Sequence, residues 1–310
     1  MTTLDQPMVS VIIPAYNAVW CIVEALDSVR QQTYEDYEVI VVNDGSTDNT
    51  KEVVEAYFAQ YPLLKAQARL INQTNKRLGG ARNTGIWASK SELVAFLDAD
   101  DVWYPEKLKR VMEVFGSSRE KIGLVCHDER VVKNGQTVRI NHYGPWEPHM
   151  YERLLFNDNC LSPSAVVVRK DLLDKVGGFS ENPRFHSIED YDLWLKLSRL
   201  TRFVFLHEVL GEYRLFEDSL GSAIKYNLEN TLSVLECHFS EYFRKRKISV
   251  VDKIHIQRRK SLVYRRAVRQ SQKRGQFGNA FQYLLESLKL YPFRWKSFIL
   301  LIFILFRIHK

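Results

Sequence analysis

Val9-Ser-Val-Ile-Ile-Pro14 is a short β-branched run closed by a proline, and a helix pattern over Ala18–Gln31 follows it. The next seventy residues keep this rhythm. Tyr37-Glu-Val-Ile-Val-Val-Asn43 reads as a second buried strand. Ser46, Thr47, Asp48 and Asn49 offer N-caps to a helix with Val53, Val54, Tyr57 and Phe58 on one face. Arg69–Asn72 is a weaker third strand, Gly79-Gly80 opens another helix, and Leu93–Leu97 is a fourth strand. Pro105 suits the first turn of a helix running to Phe115. Alternation of this kind predicts an α/β domain with a parallel sheet covered on both faces. In such sheets ligands bind at the carboxyl ends of the strands.

After Ile122–His127 the rhythm changes. Val131–Val138 reads as a hairpin with an Asn134-Gly135 turn. Ala165–Arg169 is another strand, and Tyr191–Leu200 is a helix with apolar periodicity. From about Tyr226 onward the pattern is helical. A basic, weakly amphipathic stretch precedes Asn279–Leu290, which has Ala280, Tyr283, Leu284 and Leu288 on one side.

Composition narrows the class. The chain has 310 residues, 45% hydrophobic and 26% charged, which excludes global disorder and a polytopic membrane protein. The net charge of +7 conceals two opposite parts. Residues 1–240 carry 26 Lys and Arg against 34 Asp and Glu; residues 241–310 carry 18 against 3. An acidic body is therefore joined to a basic tail. Cys21, Cys126, Cys160 and Cys237 form no CxxC pair, which suggests reduced thiols. The polar start Met1–Pro7 does not resemble a signal peptide, so a cytoplasmic setting is expected. Phe298–Phe306 is uninterrupted and apolar, but as a helix it would rise only about 13 Å against a hydrocarbon core of about 30 Å.

Four segments carry candidate chemistry. Phe96-Leu-Asp-Ala-Asp-Asp101 is an apolar strand ending in carboxylates. If the segment stays extended, Asp98 and Asp100 point the same way, as Mg²⁺ or Mn²⁺ ligands would. Alternatively Asp101 simply caps the following helix. In Val42-Asn-Asp44-Gly-Ser, Asp44 lies just past a strand end and could accept hydrogen bonds from a base or ribose; a capped connection is the other reading. Leu78-Gly-Gly-Ala-Arg-Asn-Thr-Gly85 could bring backbone N–H groups and Arg82 to a phosphate, or be a loop with a solvated arginine. Ile188-Glu-Asp-Tyr-Asp192 crowds three carboxylates into a first turn, where they could serve the helix dipole or supply a general base.

Taken in order, these segments resemble a family 2 glycosyltransferase with the GT-A fold. The resemblance covers roughly Met8 to Ser222: Val9–Asn17, Val42–Ser46, Gly80–Gly85, Phe96–Asp101, Gly177-Gly-Phe179 and Glu189–Trp194. It implies a mixed sheet with helices on both faces over 1–225, followed by a basic helical tail over 226–310. The nucleotide-binding half would be about 1–128 and the acceptor half about 129–225. It implies that Pro14, Ala15, Tyr16 and Asn17 line the nucleotide cleft, that Asp44 binds the base, commonly uracil, and that Gly80 and Arg82 face the diphosphate. Asp98 would serve ribose and metal, Asp100 the metal, and Glu189-Asp190 would be the ED pair, with Asp190 as base. The implied reaction moves a sugar from a nucleotide-diphosphate donor to a hydroxyl of a glycan or lipid-linked acceptor. It would invert the anomeric centre with help from Mn²⁺ or Mg²⁺. A sugar-nucleotide-binding scaffold on the same fold is the alternative.

One departure stands out. Where many members have Tyr-Arg-x-His, this chain has Tyr213-Arg-Leu-Phe216, so water, His207 or Glu217 would have to replace that histidine, or metal dependence is weakened. In the tail, Arg244–Arg274 holds 13 Lys and Arg with one acid, Asp252. With the apolar run that follows, it reads as a peripheral contact with an anionic membrane, in preference to nucleic acid. A merely solvated helical face is the plain alternative. Trp146 and His149 are candidates for acceptor contact or for packing.

Overall fold

The structure is a computed structural model and describes residues 8–117, 122–216 and 224–292. The chain begins β1 (Val9–Ala15), α1 (Ile22–Arg30), β2 (Tyr37–Asp44), α2 (Thr50–Gln60), α3 (Pro62–Ala66), β3 (Ala68–Gln73), α4 (Arg77–Ala88) and β4 (Leu93–Phe96). It continues through β5 (Val102–Trp103), α5 (Lys107–Ser117), β6 (Ile122–Lys133), β7 (Gln136–Asn141) and α6 (Met150–Phe156). A 3-10 turn at Pro163–Ala165 leads to β8 (Val166–Arg169) and α7 (Lys170–Val176). After a second 3-10 turn, Pro183–Phe185, come α8 (Glu189–Leu197) and β9 (Arg202–Leu215). Three helices follow: α9 (Ile224–Phe243), α10 (Val250–Lys273) and α11 (Phe277–Leu290).

β1 and β2 are buried at every residue, as continuous apolar runs in a parallel sheet should be. Successive side chains point to opposite faces. Val9, Val11, Ile13, Val39 and Val41 pack with Ile22, Leu26 and Val29 of α1 and Val54 and Phe58 of α2. Ile40 and Val42 point the other way, onto Ala81 of α4. Helices thus cover both faces, and α4 comes close: a Cβ on Gly85 would lie 2.4 Å from Ile12 Cγ2.

The sheet order is β3-β2-β1-β4-β8-β6-β9-β5, with β7 paired to β6. Neighbours from β3 to β4 are parallel, and β8 enters antiparallel between β4 and β6. The expected parallel sheet therefore describes only the first half, and the whole is mixed. The Asn134-Gly135 turn joins β6 to β7, with φ of 49° and 73° at its two residues. β9 carried no sequence signal. Its burial does not alternate, and its parallel pairing with β6 contains register shifts, so no period of two is visible.

Contacts divide the chain into two compact units: Met1–Tyr151, Asn159–Asn182 and Glu189–Glu217 form one; Glu152–Asp158, Pro183–Ile188 and Asp218–Lys310 form the other. In the second unit, α10 starts with a reciprocal Ser249–Asp252 capping box. Val268 of α10 packs with Ala280 and Leu284 of α11. Arg259 and Arg265 are buried, and Arg259 is paired with Asp158, so part of the tail's positive charge is internal. The apolar run Phe298–Phe306 lies outside the described residues. Among those residues, no helix is long and apolar enough to cross a membrane.

The α4–β1 approach has a measurable consequence. Gly85→Ala should cost about 1–3 kcal/mol through overpacking, read as a lower urea midpoint with an unchanged slope. An unchanged midpoint would mean that the helix can move away from Ile12 freely.

Candidate active site

β1 and β2 end side by side, with Ala15 opposite Asn43. The loops beyond them are bonded together. Asn17 N donates to Ser46 Oγ (3.0 Å), Thr47 N to Asn17 Oδ1 (2.8 Å), and Ala18 N to Thr50 Oγ1 (2.8 Å). Asn17 holds φ of 50°, a left-handed conformation that asparagine tolerates better than most residues. Pro14 and Ala15 are buried beneath this join, whereas Tyr16 is 54% exposed. Asp44 is buried, and its Oδ1 accepts from Gln73 Nε2 (2.6 Å) and Lys76 N (2.8 Å). Gly45 makes the turn possible, since its φ is 74° and a Cβ there would meet Asn75 N at 2.8 Å. An oriented carboxylate and an exposed aromatic ring therefore lie together at the carboxyl ends of β1 and β2.

The second carboxylate segment differs from its expected shape. β4 stops at Phe96, and Asp101 N donates to Asp98 O (3.0 Å), so Asp98–Asp101 is a turn and not an extended run. The argument that alternate residues share a side does not apply here. The reason is Asp101, which is drawn inward: its carboxylate accepts from Ser164 Oγ (2.6 Å) and Arg214 N (3.0 Å). Asp100 remains half-buried, and desolvation, then the nearby Asp98 charge, pushes its carboxyl up to about 6. A divalent cation would relieve that repulsion, and two carboxylates plus substrate phosphates are a donor set for Mn²⁺ or Mg²⁺. Among the described residues no group of three His, Cys, Asp or Glu is placed to hold a metal by itself.

Arg82 joins this turn to α8. α4 opens at Arg77, so Gly79 and Gly80 fall inside its first turns and Arg82 faces inward. A Cβ at Gly80 would crowd Lys76 Cβ at 2.6 Å, beside the N–H that holds Asp44. The Arg82 guanidinium is 2% exposed. Nη2 donates to Asp98 Oδ1 at 2.6 Å and Nη1 to Glu189 Oε1 at 3.2 Å. Arg82, expected to face the diphosphate, here bridges two carboxylates and is not the solvated arginine of the plain alternative. Below it lie Phe179, whose ring centroid is 5.1 Å from the guanidinium carbon, and then Phe96 and Trp194. Asn83 fixes Phe179 by accepting from its N–H (2.8 Å) and donating to its C=O (2.9 Å). Gly178, at φ of 70°, brings that strand of backbone against Asn83.

The three carboxylates of α8 are sorted by their neighbours. Glu189 faces Arg82, and Asp192 pairs with Lys196 at 2.7 Å one turn on. Asp190 is half-buried and accepts from Asn159 Nδ2 at 3.2 Å. Desolvation and the Glu189 charge push the Asp190 carboxyl up to about 6, against the opposing pull of Arg82. It is therefore ionised at neutral pH yet more basic than an ordinary aspartate, as a general base should be.

At the end of β9, Tyr213 is half-buried close to the same turn, where desolvation and the charges of Asp101, Asp100 and Asp98 push its phenol up. Phe216 packs edge-on against Trp20, with ring centroids 4.5 Å apart. His207, the suggested replacement ligand, has its Nδ1 3.6 Å from Asp128 Oδ2 instead, and Glu217 lies outside the described residues. Trp146 has the Arg202 guanidinium over its ring at 5.0 Å, a packing contact; His149 is exposed. Asn83, Asn159 and Ser164 were not singled out from the sequence. Only Asn83, inside the glycine-rich segment, lay within a motif that could have drawn attention.

Residues 10–177 match glycosyl transferase family 2, and the chain belongs to that family. An uncharacterised glycosyltransferase of Nostoc sp. is 38% identical over 173 residues, covering 54% of this chain and 52% of its own. UDP-Glc:alpha-D-GlcNAc-diphosphoundecaprenol beta-1,3-glucosyltransferase WfgD of Escherichia coli is 31% identical over 224 residues, 71% of this chain and 81% of that one. The fold is GT-A. Mannosyltransferase PcManGT from Pyrobaculum calidifontis, solved with GDP-Man and Mn²⁺, superposes with a TM-score of 0.60 at 20% identity, over 96% of this chain and 79% of that one. The chain thus spans about half the length of the Nostoc relative.

If the Arg82 bridge holds the site together, Arg82→Met should destabilise the fold by about 3–5 kcal/mol, because two carboxylates lose their shared cation. Arg82→Lys should recover only part of this, since one ammonium cannot reproduce the fork. Urea unfolding reads both. A methionine variant as stable as wild type would contradict the bridge.

Proposed function

We propose that this chain is a glycosyltransferase that moves a sugar from a nucleotide-diphosphate donor to an acceptor hydroxyl, inverting the anomeric centre. The observation that carries this reading is the Arg82 bridge. It ties the donor-side Asp98 to Glu189, next to the half-buried Asp190. Charge stabilisation and base catalysis are thereby brought into one cluster, an arrangement that a binding scaffold does not need. Tyr16, Asn17 and Asp44 take the nucleoside at the ends of β1 and β2, with Pro14 and Ala15 beneath. Gly80 keeps the start of α4 close to that floor, and Arg82 organises Asp98. Asp98 and Asp100 would hold Mn²⁺ or Mg²⁺, which supplies positive charge for the leaving diphosphate.

Asp190 takes the proton of the acceptor O–H as that oxygen attacks the anomeric carbon. The bond from that carbon to the diphosphate oxygen breaks on the opposite side, so the configuration inverts. A retaining route needs a second nucleophilic group, and none is identified among the described residues at the site. The UDP-Glc donor and diphosphoundecaprenol acceptor in the name of WfgD support a UDP-sugar donor and a glycan or lipid-linked acceptor here.

Asp190→Asn should lower turnover by about 10²–10⁴-fold while nucleotide affinity stays within a factor of two. Release of nucleoside diphosphate from a UDP-sugar panel, with binding by calorimetry, measures both. Near-normal turnover would remove Asp190 from the role of base. In wild type the raised carboxyl must be deprotonated to act, so activity should be full above pH 7. It should fall about tenfold per unit once pH drops below about 6. A flat profile down to pH 5 would contradict the assignment.

For the tail, the remaining exposed cations and the apolar run after α11 support a peripheral contact with anionic lipid. The full chain should sediment with phosphatidylglycerol vesicles, be released by salt, and ignore phosphatidylcholine vesicles. Equal behaviour with both would refute the contact.

A further inference from the structure

We propose that Ser164 is a positioning residue, one that sets the Asp98–Asp101 turn and with it the placement of the two donor-side carboxylates. The proposal rests on the reading of Asp98 and Asp100 given above and adds the element that holds them. β4 and β8 are antiparallel, with Ala95 opposite Val167. Continuing that register past both strand ends places Ser164, in the 3-10 turn before β8, opposite Asp98. The hydrogen bonds agree. Asp98 N donates to Ser164 Oγ at 3.1 Å, and Ser164 Oγ donates to Asp101 Oδ2 at 2.6 Å. The Ser164 carbonyl accepts from Trp103 Nε1 at 2.7 Å. One side chain, 1% exposed, therefore grips both ends of the turn, and its backbone anchors the residue two positions further on.

The hydroxyl suits this place because it accepts and donates at once. The Asp98 amide needs an acceptor beyond the end of β4, and the buried Asp101 carboxylate needs a donor. Alanine can serve neither. Without the grip, the Asp101 carboxylate loses the Ser164 hydroxyl and keeps the Arg214 N–H, and the turn that presents Asp98 and Asp100 loosens. The nucleoside end of the cleft is built on different loops, so it should not feel the change.

That separation defines the test, on the full-length chain. Wild type and Ser164→Ala are compared in amide hydrogen exchange across residues 97–103 and in calorimetric binding of uridine and of UDP with Mn²⁺. The expected result is exchange in 97–103 faster by at least about tenfold, with Mn²⁺–UDP binding weakened about tenfold. Uridine affinity should be unchanged. Ser164→Thr, which keeps the hydroxyl, should restore part of the protection. Exchange equal to wild type in Ser164→Ala overturns the proposal, and so does equal weakening of uridine and Mn²⁺–UDP, which would signal general damage. If wild-type protein binds no nucleotide, the donor-site reading fails, and the exchange result alone then upholds or overturns the grip of Ser164 on the turn.

Discussion

A guanidinium buried to 2% exposure between Asp98 and Glu189 is the constraint from which the site follows. A buried cation is tolerable only when its partners stay in place, and removing either leaves an uncompensated charge. Arg82 therefore fixes three elements at once: α4, which carries it; the turn after β4; and the start of α8. Phe179, Phe96 and Trp194 form the apolar floor beneath it, and Asn83 pins Phe179 by both of its backbone groups. The glycine-rich segment provides close packing for this bridge.

The same charge sorts the acids around it. Glu189 and Asp98 accept hydrogen bonds from Arg82, and Asp192 pairs with Lys196. Asp100 and Asp190, on either side of the bridge, are each pushed up to about 6, by burial first and then by the neighbouring Asp98 and Glu189 charges. Under the proposed function these would be a ligand for a cation and a proton acceptor, each raised by burial beside like charge. Proximity to the bridge thus gives chemically identical side chains different surroundings.

The legible part of the fold was its most buried part. β1, β2 and β4 announced themselves because both faces of each are covered, leaving continuous apolar runs that periodicity can detect. β9 did not, since it is only partly buried and pairs with β6 through register shifts. At the site, the residue types were readable and their partners were not. Arg82 and Glu189 are 107 residues apart in the chain, and nothing local distinguishes a solvated arginine from a bridging one. The Asp98–Asp101 turn was mistaken for extended backbone because what bends it, Ser164 and Arg214 N, comes from distant segments. The basic tail was readable as charge, but not that Arg259 and Arg265 lie inside the second unit.

The proposed reaction is a single displacement in which Asp190 deprotonates the incoming oxygen. Water can stand in for an unknown acceptor, so the most direct measurement is proton NMR of the sugar released from an α-linked UDP-sugar at early times. With a single displacement the β-anomer should appear first and then mutarotate. If the α-anomer appears first, the reaction retains configuration, and the assignment of Asp190 as base in a single displacement is wrong.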